Sequence, residues 1–272
     1  MGLEAFRLDG KIALVTGSRR GIGAAIAVAL AQAGADVACH GLNSDPGPAC
    51  AEIRALGRRT AHFHADVTDP QACSSLIESV VSEFGHLDIL VNNAGAIRRA
   101  PAAEYSSEFW DEMLAAHLSA AFRLSQLAGR HMLARGTPGK IVNIASLLSF
   151  QGGIRVPGYS AAKAGVAGLT KALANEWASK RINVNAIAPV IWSRKTPPPC
   201  AKIPCAVGKF SSAFPQDAGA SLQTSPVRRF SSVRAQVTTS TVMCSWLTED
   251  GFRSEGKLIS DSFHPSCNHL AL

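Results

Sequence analysis

Tyr159 and Lys163 stand four residues apart at the start of a segment with helical periodicity, where Ala161, Ala164, Gly165, Gly168, Leu169 and Leu173 recur as small or apolar positions. Residues at that spacing are neighbours on a helix surface. An ammonium held beside a phenol favours the phenolate, bringing the tyrosine from its ordinary pKa of about 10 toward neutrality. A phenol tuned in this way serves as a general acid or base at physiological pH. A bare Tyr-x-x-x-Lys pair more often marks two side chains that share a helix face. Ser146, upstream at the end of an apolar run, adds a hydroxyl to the pair and shifts that balance toward chemistry.

The elements that must position these residues alternate along the chain. Lys11 to Gly17 is a short apolar run ending in glycine, as a buried parallel strand requires. An alanine-rich helix, Ala24 to Ala33, follows it. Between them Thr16, Gly17, Gly21 and Gly23 form TGxxxGxG. Glycines there permit a tight strand-to-helix turn, let the backbone approach a pyrophosphate and aim helix N-terminal amides at its charge. An ordinary strand-to-helix turn is the competing reading.

Further strands are expected at Asp36 to His40, Thr60 to Ala65, Asp88 to Val91, Lys140 to Ala145 and Ile182 to Ala188. Helices are expected at Ala49 to Leu56, from Asp69-Pro70 onward, at Ser106 to Ala134 and at Tyr159 to Lys180. Asp69 followed by Pro70 reads as an N-cap and a first-turn proline. Six strands separated by helices predict an α/β fold, a Rossmann-type doubly wound parallel sheet with its ligand over the C-terminal strand edge. Gly17, Asn92 and Ser146 all fall at such strand ends, so the topology alone predicts that they converge.

Composition narrows the alternatives. A chain of 272 residues that is 47% hydrophobic suits one large α/β domain with a tail. The net charge of +7 is dispersed, without a basic block or basic-aromatic alternation, so no nucleic-acid partner is expected. No leader and no apolar stretch of membrane-spanning length is read, giving no membrane partner and a cytoplasmic expectation. Seven cysteines without CxxC spacing argue against disulfides and a metal site. Cys39, Cys50 and Cys73 read as small core residues.

TGSRRGIG at the first turn, NNAG after the fourth strand, Ser146 after the fifth and Tyr159-x-x-x-Lys163 on the next helix resemble the short-chain dehydrogenase/reductase family, over about 180 residues. The phrases FGHLDILVNNAGAIRR, NIASLLSFQGGIRVPGYSAAKAG and ANEWASKRINVNAIAP resemble more narrowly its 2-deoxy-D-gluconate 3-dehydrogenase and 2-dehydro-3-deoxy-D-gluconate 5-dehydrogenase group. The resemblance implies an NAD(P)-dependent oxidoreductase acting on a hydroxyl or keto group of a sugar acid. It implies that Tyr159 exchanges the proton with the substrate oxygen, that Lys163 tunes Tyr159 and holds the nicotinamide ribose, and that Ser146 hydrogen-bonds the reacting group. Gly17, Arg20, Gly21, Ile22, Gly23, Asp66, Val67, Asn93, Ala94 and Gly95 fall on the cofactor-binding positions, with Asp66 and Val67 at adenine. Arg155 is the candidate clamp for a substrate carboxylate, since a guanidinium binds one bidentately; a solvated loop arginine is the alternative. An inactive dinucleotide-binding remnant and a reductase of another carbonyl remain competing functions.

NAD enzymes of this fold usually carry an acid after the second strand for the ribose 2′-OH. Here that place reads His40-Gly41-Leu42-Asn43, without a carboxylate. Arg19 or Arg20 offers a partner for a 2′-phosphate. The narrower resemblance favours NAD, with NADP as the alternative.

Two departures stand out. His117 occupies the place where the family pattern has an asparagine that anchors a proton-relay water. Histidine donates and accepts hydrogen bonds but is bulkier and can charge, so a reduced rate is expected. The second departure begins at Val190. Periodicity ends there, and half of the 14 prolines and most of the seven cysteines lie beyond it.

A base lost before the Val190 codon accounts for the change. With a G restored before GTT ATA TGG, Val190-Ile191-Trp192 becomes Gly-Tyr-Met. In the same shifted frame Ala213 to Ala220 permits RIPAGRWG, Val237 to Val242 permits SDYVNG or SDYVHG, and Thr248 to Phe252 permits DGGWL. These strings resemble the end of the same dehydrogenase group, in order. The sequence therefore divides into a dehydrogenase domain, 1–189, and an out-of-frame, largely disordered tail, 190–272, that replaces the last strand and the substrate loop. The resemblance implies a homo-oligomer whose interface is lost with that end.

Overall fold

A computed structural model describes residues 6–191, together with the backbone of 242–243 and 246–247. The elements run β1 (Ile12–Val15), α1 (Gly21–Gln32), β2 (Asp36–Gly41), α2 (Ala49–Ala55), β3 (Thr60–His64), α3 (Pro70–Phe84), β4 (Ile89–Asn92), α4 (Ser107–Met113), α5 (Ala120–Arg135), β5 (Gly139–Ile144), α6 (Leu148–Gln151), α7 (Pro157–Trp177) and β6 (Ile182–Ile187). The strands pair in parallel in the order β3-β2-β1-β4-β5-β6. Both neighbours of β1 are thus strands that continue away from it in opposite directions. That reversal opens a crevice at the C-terminal ends of β1 and β4, where ligands bind in open α/β sheets.

Alternate side chains of one strand feed opposite faces of the sheet. Ile12 and Leu14 join the core under α3, α5 and α7, with Leu76, Val80, Leu124 and Trp177. Ala13 and Val15 join the core under α1 and α2, with Ala27, Ala31 and Ile53. Burial on both faces explains why these strands read as unbroken apolar runs. Cys39, Cys50 and Cys73 are buried free thiols, as small core residues should be.

Asp69 caps α3 as the sequence indicates: its Oδ1 accepts the Gln71 amide at 2.9 Å, and Pro70 takes the first helical position. The expected helix from Ser106 to Ala134 is divided. Ser106 caps α4, accepting the Phe109 amide at 3.2 Å, but Leu114–Ser119 forms a π-helical turn before α5. Such turns concentrate at functional sites. This one carries His117.

The sheet also differs from expectation at its far edge. Val242–Met243 pairs in parallel with β6, through Ala186↔Val242 and Ile187↔Met243. Val190–Ile191 pairs with Trp246–Leu247 in a separate two-stranded ladder. An open strand edge offers unpaired amides and carbonyls to any extended segment, whatever its side-chain pattern. Hence a seventh strand forms in a stretch without strand periodicity. The rest of the expected tail and the substrate-loop region lie outside the described residues.

Candidate active site

The first half of the crevice is built by glycine and by one threonine. Gly17 has φ +65°, in the left-handed region, and a Cβ there would stand 2.9 Å from Ala94 Cα. A Cβ on Gly23 would overlap the Gly17 carbonyl and the Asn93 amide. The start of α1 therefore rests directly on the Asn93-Ala94-Gly95 loop. Asn93 Nδ2 donates to the carbonyls of Thr16 at 2.9 Å and Gly17 at 3.1 Å. The amides of Asn93 and Ala94 donate to Thr16 Oγ1 at 2.9 and 3.0 Å, and that hydroxyl donates to Val91 O at 3.2 Å. Thr16 thus binds the two loops together.

His40, at the end of β2, ties the same turn to β3. Its Nδ1 accepts the Gly17 amide at 3.3 Å, which leaves the proton on Nε2 to donate to Ala65 O at 3.1 Å. Burial pushes its pKa down to about 4, so the ring is neutral. Arg20 precedes the first turn of α1, which has no side-chain cap and no acidic residue. With Gly21 opening the helix, those free N-terminal amides suit a pyrophosphate. The site fits a dinucleotide on this count.

The other half carries the reactive groups. Helix α7 begins with Pro157 and places Tyr159 in its first turn and Lys163 one turn later. Lys163 is buried, donates through Nζ to the Ile144 carbonyl at the end of β5, and lies 5.8 Å from the Tyr159 ring centroid. Burial lowers its pKa to about 8. The Tyr159 phenol is raised by burial, against the nearby Ser146 hydroxyl and the charge of Arg99, both of which lower it. The expectation that Lys163 brings the phenol toward neutrality is therefore corrected. Its ammonium is directed to a carbonyl and is itself disfavoured by burial, so desolvation governs Tyr159.

Ser146 follows β5. Its Oγ accepts the Leu148 amide at 3.2 Å, while its own amide donates to Ser149 Oγ at 3.2 Å. Ser149 in turn donates to the Lys163 carbonyl at 2.8 Å, locking the serine loop to α7. A chain of buried polar groups supports both. Asn92 Nδ2 donates to Ser125 Oγ at 3.0 Å and Asn143 Oδ1 at 2.8 Å, and Asn143 Nδ2 donates to Thr170 Oγ1 at 2.9 Å.

His117 comes into the centre of the site. Its ring meets Tyr159 edge-on, with centroids 5.0 Å apart at 89°. Its Nε2 donates to Ala96 O at 2.6 Å, and Gly95 leaves the space the imidazole occupies, since a Cβ there would overlap it. Burial, followed by the Lys163 charge, lowers its pKa to about 4. Among the described residues, His117 Nδ1 and Asn92 Oδ1 are buried without partners. Both residues line one cavity with Lys163, Thr16 and Val67.

Three sequence-derived assignments sit less centrally. Asp66 Oδ1 accepts from the Thr68 amide at 2.9 Å and hydroxyl at 2.7 Å, so that oxygen is committed to its own turn. Ile22 is half-buried in the first turn of α1. Arg155 is exposed with φ +64°, and its carbonyl accepts the Ala100 amide at 3.0 Å. The charge that reaches the phenol is that of Arg99, a residue the sequence reading did not select. Its neighbour Arg98 is spent on Glu112, at 2.8 and 2.9 Å. The roles of His40, Ser149 and Arg99 carry no periodic signal; only the pairing of distant segments reveals them.

A parallel sheet with this crevice, glycine turn and Ser-Tyr-Lys centre defines a dinucleotide-dependent oxidoreductase fold. The short chain dehydrogenase family matches residues 11–197, and the chain belongs to that family. It is 50% identical over 190 residues to the 2-dehydro-3-deoxy-D-gluconate 5-dehydrogenase of Escherichia coli K12, covering 70% of this chain and 74% of the relative. It is 40% identical over 189 residues to the gluconate 5-dehydrogenase of Gluconobacter oxydans, covering 68% and 73%. A crystal structure described as a 2-deoxy-D-gluconate 3-dehydrogenase from Agrobacterium tumefaciens, with bound NADP, superposes with a TM-score of 0.63 at 50% identity, over 70% of this chain and 75% of that one.

Proposed function

We propose that this chain carries an NAD(P)-binding site and a catalytic centre for interconverting a hydroxyl and a keto group on a sugar acid, of the 2-keto-3-deoxy-gluconate or 2-deoxy-gluconate type. The observation that carries the reading is the meeting of Ser146, Tyr159 and Lys163 beside the glycine turn, in a chain half identical to a dehydrogenase of that substrate class. When bound, the nicotinamide supplies or accepts the hydride. Tyr159 Oη holds the proton that the substrate oxygen gains or loses, and Ser146 Oγ orients that oxygen. Lys163, fixed by the Ile144 carbonyl, would hold the cofactor ribose through its remaining protons. His117, fixed by Ala96, sets the angle of the Tyr159 ring from its edge. Arg99 and Arg155, on loops joined by the Ala100–Arg155 hydrogen bond, supply positive charge for the substrate carboxylate.

The assay is reduction of 2-dehydro-3-deoxy-D-gluconate by NADH or NADPH, and oxidation of 2-deoxy-D-gluconate by the oxidised cofactors. Turnover on these acids, with none on their carboxamides, is the expected result. Equal rates on uncharged ketones would select the other-carbonyl alternative.

A second reading follows from Val190 onward. The alignment to the Escherichia coli dehydrogenase leaves about a quarter of that enzyme uncovered. We therefore propose that 1–189 is the dehydrogenase domain and that 190–272 is translated out of frame, which leaves the dinucleotide site and the Ser146-Tyr159-Lys163 centre in place and lowers turnover without abolishing it. Sequencing across the Pro189 and Val190 codons decides it. Restoring the frame should give a soluble homo-oligomer by light scattering.

A further inference from the structure

Two of the buried thiols share one place in the core. Cys39 lies on β2 and Cys50 on α2, and both join the core under α1 and α2, with Val37, Ala31 and Ile53. Thr60, at the start of β3, touches both: its Oγ1 is 3.7 Å from Cys39 Sγ and 3.8 Å from Cys50 Sγ. The same hydroxyl donates to Val37 O at 2.7 Å, which fixes it there. Cys73 is the contrast. It lies in the core on the opposite face of the sheet, with its thiol donating to Val67 O at 3.2 Å.

The pair is chemically uneven. The neighbouring Cys39 thiol lowers the pKa of Cys50 to about 6, against burial and with the Thr60 hydroxyl and the Arg54 charge acting the same way. Cys39 is raised, first by Cys50 and then by burial. Cys50 is thus the readier thiolate, and the thiolate is the form that reacts. Both residues are buried, so a small oxidant reaches them when α2 opens locally. That helix has seven residues, no side-chain cap, and Ala51, Glu52, Arg54 and Ala55 on its exposed side.

We propose that Cys39 and Cys50 form a redox modification site, a dithiol that a peroxide oxidises to a disulfide pinning α2 to β2. The Cys50 thiolate attacks one oxygen of hydrogen peroxide; the O–O bond breaks, a sulfenic acid forms and hydroxide leaves, taking up the proton that Cys50 lost. The Cys39 sulfur then attacks the sulfenic sulfur. The S–O bond breaks, and the departing hydroxide takes the Cys39 proton. Two thiols have then lost two hydrogens, and one peroxide has become two waters. The ring closed by the link, residues 39–50, holds His40, which accepts the Gly17 amide, and Gly47, which lies against the Arg19 carbonyl. The modification therefore sits beside the glycine turn and away from Ser146, Tyr159 and Lys163.

The test is mass mapping of the full chain, reduced with dithiothreitol, desalted and exposed to hydrogen peroxide. Trypsin leaves both residues in one peptide, Gly21 to Arg54, because no lysine or arginine lies between those ends. That peptide should become lighter by two hydrogens. After a further cut at Asp45, its halves should stay joined until dithiothreitol is added back. Cys73 should remain an alkylatable thiol, oxidised at least about tenfold more slowly. Cys39→Ala should leave Cys50 as a sulfenic acid that dimedone traps, whereas Cys50→Ala should leave Cys39 unoxidised over the same time. Cys39 and Cys50 still alkylatable once Cys73 is oxidised, a link from either to a cysteine beyond residue 189, or dimedone trapping at Cys39 in Cys50→Ala overturns the proposal. The map of the unmodified chain decides the site even where a variant fails to fold.

Discussion

The two halves of the crevice meet their hydrogen-bonding needs differently. On the glycine-turn side, Thr16 Oγ1 accepts twice and donates once, Asn93 Nδ2 gives to two carbonyls, and both nitrogens of His40 are engaged. On the catalytic side, His117 Nδ1 and Asn92 Oδ1 are buried without partners among the described residues, and Lys163 is charged against its burial. An unpaired buried polar group costs about 1–3 kcal/mol. The glycine turn is thus tied together by hydrogen bonds within the protein, while His117 Nδ1 and Asn92 Oδ1 belong to residues that line the cavity beside Lys163.

The comparison breaks most visibly at Tyr159. Tyr159→Phe should lower turnover about 10²–10⁴-fold while leaving cofactor titration nearly unchanged, since it removes only the proton carrier. Parallel loss of binding would show that the two sides are not separable. Gly23→Ala should do the reverse. Its methyl group overlaps the Gly17 carbonyl and the Asn93 amide, so cofactor affinity should collapse and stability should fall by about 1–3 kcal/mol, read by titration and thermal melting.

Acid stability sharpens the contrast through one histidine from each side. His40 and His117 both have pKa values lowered to about 4 from 6.5. The unfolded chain takes up these protons first, so stability is full above pH 6.5 and falls as the pH drops toward 4. Each should contribute a loss of about 3 kcal/mol over that window. Replacing either by asparagine should flatten the denaturant-midpoint curve between those pH values; an unchanged slope would show that the ring is not buried in solution.

The smallest effect concerns rate alone. His117→Asn should raise turnover by a few-fold, because it restores the family's residue against Tyr159 and removes the imidazole. Steady-state rates equal to the parent would remove His117 from the account.

Much of this was legible in the chain. The six main strands, the Asp69 cap and the placing of Gly17, Asn92 and Ser146 at the C-terminal strand ends follow from apolar runs, turn residues and the alternation of elements. The π-helical turn at Leu114–Ser119 did not, since a local change of winding leaves the apolar pattern of Ser106 to Ala134 nearly intact. His40 and Arg99 were missed for another reason. His40 joins Gly17 to Ala65, and Arg99 acts on Tyr159, so their meaning lies in contacts across segments that no local spacing encodes. The direction of the Tyr159 shift was misjudged because sequence gives the proximity of Lys163 but not the burial of both groups.

The most direct test follows cofactor quenching and nicotinamide oxidation in one experiment, with the parent chain and Tyr159→Phe side by side and 2-dehydro-3-deoxy-D-gluconate added after the cofactor. The account requires saturable NADH quenching in both chains and substrate-dependent oxidation in the parent alone. Absence of saturable quenching, or oxidation that persists in Tyr159→Phe, would contradict it.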